Sequence, residues 1–426
     1  MIAMRKKLYE LKEYDVLTTN AVAGKQNGYV HIDKYSFKLL EQLILTFNEN
    51  EEENDAIEFL TLSSKRNVGK VIRTKNYVGL LQLSNGVQLQ ILPKIHGGSD
   101  NDTRKIFLNM LKALKDFPSK TFNESHLAKS NMPIFEVFIR QYIREVQMIV
   151  KRGLKSTYYD EQENLRVYKG KMNFSQQIKN NLVHKERFYM QYDEFGVNRA
   201  ENRLIKTTLM FLTNISSSTE NIKELRKLLL YFEKVDTSFE IEKDFARAQY
   251  DRSMQHYQVG LNWSKIFLKK QSFSIFTGDN SAQALLFPMD RVFEDYIGQT
   301  IRKLLANTDL KVSLQDRGYY LFDRQFALRP DIILRNSEGR VIVVDTKWKL
   351  LKNNSRQNYG ISQADMYQMY AYAKKYGTNE IVMVYPWSDE FEQNALIEFI
   401  SADGVKVRIL LVDCYHCELT LPMIWK

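Results

Sequence analysis

Arg329-Pro330-Asp331-Ile332-Ile333-Leu334-Arg335-Asn336-Ser337-Glu338-Gly339-Arg340-Val341-Ile342-Val343-Val344-Asp345-Thr346-Lys347 is two apolar runs about a short polar turn. It reads as a β-hairpin whose three-residue loop is Ser337-Glu338-Gly339, with Gly339 supplying the positive φ. That loop sets Asn336 against Arg340 and, carried along the strands, Asp331 against Asp345. Side chains alternate along a strand, so Lys347 shares the face of Asp345 while Thr346 points away. Val341 to Val344 is apolar on both faces, the mark of a strand covered on both sides. Such a strand seldom ends in Asp and Lys without a chemical reason.

Two carboxylates facing each other repel unless a cation lies between them. Mg²⁺ takes hard oxygen ligands and keeps several waters. Asp331, Asp345 and the backbone carbonyl of Thr346 would therefore hold it and leave places for water and a phosphate oxygen, with Mn²⁺ able to substitute. The expected chemistry is metal-dependent hydrolysis of a phosphodiester, with Lys347 orienting or helping to deprotonate the attacking water. Asp331, Asp345 and Lys347 are the candidate catalytic residues.

Two flanking segments support them. In Met289-Asp290-Arg291-Val292-Phe293-Glu294, Glu294 lies on one helical stripe with Ile297, Ile301 and Leu305, a candidate further ligand unless it only serves the helix dipole. In Asp365-Met366-Tyr367-Gln368-Met369-Tyr370-Ala371-Tyr372, Gln368 and Tyr372 share a helix face, where amide and phenol can contact a phosphate or the lysine. Aromatic stripes of this kind are more often core. Asp-x-Lys alone is also common as a surface pair, so the weight rests on the combination.

Away from the hairpin, Ile57 to Leu62, Tyr77 to Leu83 and Val87 to Leu92 read as strands, the last two joined by Ser84-Asn85-Gly86, a strong hairpin signal. Thr103 is expected to cap a helix carrying Ile106, Phe107, Met110 and Leu111. Residues 131–152, 202–214 and 222–232 show helical periodicity. The expected architecture is multidomain α+β, with a β-rich domain at 1–100, a mainly helical connecting region at 101–283 that is a candidate for DNA contacts, and an α/β domain with a mixed central sheet at 284–426.

The 426 residues suit two or three domains, and 44% hydrophobic content with only 7 Pro describes a folded protein. A net charge of +10 fits a polyanionic partner without being diagnostic. The amino terminus, Met1-Ile2-Ala3-Met4-Arg5-Lys6-Lys7, lacks an apolar signal stretch, and no run approaches the roughly 20 residues of a membrane helix. With two cysteines, the expectation is a cytoplasmic protein without a disulfide framework or membrane contact. Cys414-Tyr415-His416-Cys417 lacks the second pair that a zinc site needs. The basic stretch Lys169, Lys171, Lys179, His184, Lys185 and Arg187, interleaved with Tyr168, Phe174, Phe188 and Tyr189, reads equally as a DNA-tracking surface or a solvated face.

Glu on a helix, Pro-Asp, Asp-x-Lys and Gln-x-x-x-Tyr together resemble the PD-(D/E)xK nuclease superfamily. Phe287-Pro288-Met289-Asp290-Arg291-Val292-Phe293-Glu294, Val344-Asp345-Thr346-Lys347-Trp348-Lys349, Lys169-Gly170-Lys171 and Asn198-Arg199-Ala200-Glu201-Asn202-Arg203 are similar to McrC, the nuclease subunit of McrBC modification-dependent restriction systems. The resemblance spans most of the chain. It implies a PD-(D/E)xK domain at 284–426, double-stranded and base-modified DNA as substrate, and a McrB-type AAA+ GTPase ring as partner. It further implies that the amino-terminal domain enters that ring and stimulates its GTP hydrolysis, with GTP bound by the partner. In agreement, no G-x-x-x-x-G-K-[ST] is present; Ser64-Lys65-Arg66-Asn67-Val68-Gly69-Lys70-Val71 lacks the first glycine and the final hydroxyl. The alternatives are a non-catalytic AAA+ regulator that binds DNA and a stand-alone repair-type nuclease.

Overall fold

The hairpin is present in the computed structural model with the register read above. Ile332–Arg335 pairs antiparallel with Val341–Thr346, Ile332 opposite Val344 and Arg335 opposite Val341. Asn336 N–H donates to Arg340 O at 3.2 Å, and Gly339 has φ 85°. The structure describes residues 7–49, 59–95, 100–113, 133–248, 254–270, 274–275, 282–392, 395–414 and 419.

Around the hairpin a six-stranded mixed sheet forms in the order Lys311–Leu314, Ile332–Arg335, Val341–Thr346, Glu380–Pro386, Lys406–Val412, Ile397–Ile400. Val341–Thr346 is central: antiparallel to one neighbour and parallel to the other. Burial on both faces follows from its composition. Ile333 and Val343 join a core with Met369, Tyr372 and Tyr376 of the helix Gln363–Tyr376. Ile332, Ile342 and Val344, which point the other way, are also fully buried, and the helix Met289–Leu304 packs on the same strand. Each such side chain removes roughly 1.5–3 kcal/mol of apolar exposure. Ser362 caps the helix Gln363–Tyr376 by accepting from Asp365 N–H, and Gly377 ends it in the left-handed region.

By contact, the chain divides into two compact units, Lys6–Ser119 with Phe273–Lys426, and Met1–Arg5 with Lys120–Ser272. The first unit therefore joins the β-rich segment to the α/β segment. Tyr77–Gln82 and Gln88–Leu92 form the expected Asn-Gly hairpin. On its other side Tyr77–Gln82 pairs with Ala282–Pro288, a strand that runs across position 284. Gly79 permits that pairing: a Cβ there would stand 2.0 Å from Leu285 O. Leu8–Lys12 and Ser274–Ile275 complete this five-stranded sheet, and Tyr29–His31, Val16–Thr18, Gly69–Thr74 and Leu60–Lys65 make a four-stranded one. Ile57 and Glu58 of the expected strand lie outside the described residues. Thr103 does not cap its helix; the helix Asp100–Leu111 already runs through it, and Thr103 is buried.

The second unit carries the helices Ile134–Lys151, Ala200–Ile215, Thr219–Tyr231 and Gln255–Lys265. Phe135, Phe138, Ile139, Tyr142, Ile143 and Val146 are buried along one of them, as the periodicity requires. Beside these helices stands a three-stranded antiparallel sheet, Thr157–Leu165, Phe188–Gly196 and Lys171–Met172. Among the described residues, no helix is long and apolar enough to cross a membrane.

Candidate active site

The chemistry-bearing residues meet where Val341–Thr346 ends. The ladder stops at Ile332 and Val344. Two steps further, its register would set Thr346 against Pro330, which has no N–H to give to the Thr346 carbonyl. Pairing ends there for that reason. Asp331 takes over with its side chain: Thr346 N–H and Thr346 Oγ1 both donate to Asp331 Oδ2 at 2.7 Å. The Thr346 side chain was expected to point away from the site, yet it holds one of the two carboxylates. A hydroxyl directly after the acidic residue is the only signal for this, and alternation along an ideal strand hides it.

Asp345 is 2% exposed, and its Oδ2 has no hydrogen-bond partner. Lys347 Nζ stands 2.8 Å from that oxygen as an ion pair outside hydrogen-bond geometry. Burial first, and the Asp331 charge second, push the Asp345 carboxyl up to about 7. Burial raises Asp331 as well, against the two Thr346 hydrogen bonds and the Lys347 charge. For Lys347 burial works the other way, but Asp345, Asp365 and Asp331 outweigh it and hold the ammonium above its ordinary value. Asp345 and Lys347 thus meet on one face, and the Asp331 charge adds to burial in raising Asp345.

Gln368 and Tyr372 reach this edge in series. Lys347 Nζ donates to Gln368 Oε1 at 3.2 Å, and Gln368 Nε2 donates to Tyr372 OH at 2.8 Å. Tyr372 is buried in the core, so its part is to hold the amide. Glu294 accepts from Gln315 Nε2 at 3.0 Å, and burial followed by the Asp331 charge brings its carboxyl up to about 7. Gln315 also ties the edge through its backbone, donating to Asp331 O at 2.8 Å.

Three further side chains surround the edge. Asp365, 3.9 Å from Lys347 Nζ, lies three positions before Gln368, so helical spacing could have found it. Asp290 is raised by burial and feels both Lys347 and Asp331; it sits in the quoted helix start. Gln315, with φ 50°, has no sequence signal. Among the described residues, no group of three or more His, Cys, Asp or Glu side chains forms a ready-made metal cage. What the edge offers is two carboxylates and the Thr346 carbonyl at the end of the strand, one Asp345 oxygen being buried with the Lys347 ammonium as its neighbour. That donor set suits a small, hard, partly hydrated cation.

Of the remaining motifs, Cys414 is buried, and Tyr415, His416 and Cys417 lie outside the described residues. Two members of the basic stretch already have acidic neighbours: Lys169 reaches Glu194 at 3.1 Å and His184 reaches Glu186 at 3.4 Å.

The family model described as McrBC 5-methylcytosine restriction system component matches residues 72–386. No curated protein matches the chain. Among solved structures, a chain of the refined half-complex from the tetradecameric assembly of Thermococcus gammatolerans McrB AAA+ hexamers with bound McrC shares the fold, with TM-score 0.65 and 19% identity over 96% of this chain and 95% of that one. A chain of the Thermococcus gammatolerans McrBC complex, solved by cryo-EM, aligns with TM-score 0.46 and 20% identity over 71% of this chain and 89% of that one.

Proposed function

Because the chain belongs to the family of McrBC 5-methylcytosine restriction system components, we propose that it is the nuclease subunit of a McrBC-like complex, a PD-(D/E)xK enzyme that hydrolyses phosphodiester bonds in base-modified double-stranded DNA. The observation that carries this reading is the buried Asp345 oxygen without a hydrogen-bond partner, beside Asp331 and ion-paired to Lys347 at the end of a central strand. A structural carboxylate would be saturated with donors.

Asp331, Asp345 and the Thr346 carbonyl would hold Mg²⁺, or Mn²⁺ in its place, with Glu294 a candidate further ligand. Bound there, the ion supplies Lewis-acid polarisation of the phosphodiester and an acidified water. Thr346 keeps the Asp331 carboxylate turned into the edge through two hydrogen bonds. Lys347 acts as an ammonium. Asp345, Asp365 and Asp331 hold its ammonium above the ordinary value, and from this seat it would orient or help deprotonate the attacking water and offset negative charge in the transition state. Gln368 aims the ammonium, and Tyr372 holds Gln368.

The partner in this reading is a McrB-type AAA+ ring that binds and hydrolyses GTP, contacted by the β-rich segment 1–100 and stimulated by it. Support comes from a fold shared with a chain of an assembly of McrB AAA+ hexamers with bound McrC. Segment 101–283 is the candidate for additional DNA contacts.

The test is to purify the chain with its genomically neighbouring GTPase, supply modified and unmodified DNA with GTP and Mg²⁺, and compare Asp345→Ala. Cleavage by the wild type and none by the variant is expected. A variant that cuts as well as the wild type sinks the catalytic assignment. No cutting with GTPase stimulation intact means a regulator, and cutting without GTPase or GTP means a stand-alone nuclease.

A further inference from the structure

Glu13 lies in the loop after the strand Leu8–Lys12 and is fully buried. Its two carboxyl oxygens accept the Trp348 Nε1–H at 3.0 and 3.1 Å, and Oε2 also accepts Lys94 N–H at 3.0 Å. Glu13 N–H in turn donates to Leu92 O at 3.0 Å, so the acid is anchored to the five-stranded sheet. Trp348 directly follows Lys347. The lysine has just left the sheet: its N–H donates to Val384 O at 2.9 Å, and its carbonyl accepts Lys349 N–H at 2.9 Å in a tight turn.

Packing holds the Trp348 ring on only part of its surface. Phe293 lies 5.3 Å away, ring centre to ring centre, but a cavity of about 510 Å³, lined by Tyr14, Lys94, Leu351 and Pro386 among others, opens beside the indole. Orientation of the ring therefore depends on its N–H and the buried carboxyl that receives it. An acid is costly in this role. Burial, only partly offset by the Lys94 and Trp348 hydrogen bonds and aggravated by the Asp290 charge, drives Glu13 up to about 8.

We infer that Glu13 is a positioning residue for Lys347: it clamps the Trp348 indole, and the clamped indole fixes the backbone from which the lysine reaches the acidic pair. The amino-terminal sheet thereby holds the cutting edge. The inference rests on the cleavage reading above for its catalytic consequence, but not for its geometry.

The full chain with its GTPase partner is assayed as Glu13→Ala, Glu13→Gln and Trp348→Phe. Glu13→Ala should lower kcat roughly 10–100-fold with KM for DNA unchanged, the usual scale for residues that orient a reacting group. Glu13→Gln, whose amide oxygen still accepts the indole N–H, should recover most of the loss. Trp348→Phe keeps a ring but no donor; it should match Glu13→Ala and add nothing when the two are combined. Wild-type kcat in Glu13→Ala, no recovery in Glu13→Gln, or additive losses in the double variant would each overturn the clamp. Should Glu13→Ala not fold, Trp348→Phe alone carries the same comparison. A second readout needs no cleavage: acetic anhydride labelling of the full chain, resolved by mass spectrometry, should show Lys347 reacting severalfold faster in Trp348→Phe. An unchanged rate overturns the clamp; if even the wild type fails to cut, the cleavage reading has failed while the labelling still decides the clamp.

Discussion

Each compact unit buries a carboxylate, and the two are treated in opposite ways. Glu136, in the helix Ile134–Lys151, is 3% exposed and accepts from Ser216 Oγ, Ser217 N–H, Ser217 Oγ, Ser218 N–H and Asn221 Nδ2. It fastens the turn between two helices. Asp345 is equally buried, yet one of its oxygens receives no hydrogen bond and its neighbour is a second carboxylate. Desolvating a charge costs several kcal/mol unless partners replace the lost water. At Glu136 five donors replace it. At Asp345 the Lys347 ammonium alone stands at that oxygen, and in the proposed reading a cation completes the replacement.

The sharpest way to break the contrast is to delete both acids. Asp345→Ala should cut DNA on the order of 1,000-fold more slowly or worse, with a melting temperature no lower than wild type. Glu136→Ala should lose roughly 2–4 kcal/mol of stability through its orphaned donors, with kcat per folded molecule retained. Parallel cleavage and thermal unfolding measurements decide it; equal destabilisation by the two variants would end the distinction. Next in size, Lys347→Met should reduce kcat roughly 100-fold. Lys347→Arg should not restore it, because a guanidinium cannot occupy the compact seat between Asp345 and Gln368.

The third expectation concerns pH. Asp345 and Glu294 titrate near 7 in the fold, above their ordinary carboxyl values. A raised acid pKa stabilises the folded state only while the proton stays on, so metal-free stability should fall as pH rises from about 4 to 7. Thermal unfolding across that range should show the fall, and Asp345→Asn should make it shallower while Glu294 and Glu13 keep their share. Mg²⁺ should raise the melting temperature of the wild type at pH 8 but not that of Asp345→Asn. The smallest effect belongs to the supporting pair: Tyr372→Phe, which removes the hydroxyl holding Gln368, should cost roughly severalfold in kcat.

Much of the site was legible because a strand imposes rigid arithmetic. A Gly-terminated loop of known length fixed which residues face each other, and alternation put Asp345 and Lys347 together. Helical spacing did the same for Gln368 and Tyr372. The remaining contacts lie where that arithmetic stops. Thr346 turns its hydroxyl to Asp331 beyond the last ladder pair, Gln315 arrives from a turn with no periodicity, and Glu13 is brought in from 335 positions away. The sheet Thr157–Leu165, Phe188–Gly196 and Lys171–Met172 was hidden for another reason. Its strands read Tyr-Tyr-Asp-Glu-Gln-Glu and Tyr-Met-Gln-Tyr-Asp-Glu, largely polar, so they lack the apolar alternation by which strands are recognised.

Gly79 lies against Leu285 in a pairing that closes the chain on itself around the whole 120–272 unit. In sequence, the 120–272 unit is an insertion between the strands Tyr77–Gln82 and Ala282–Pro288. Lengthening a loop adds only about 0.6 kcal/mol of closure entropy for each doubling. Changes of length within the unit should therefore cost little to the pairing of Tyr77–Gln82 with Ala282–Pro288.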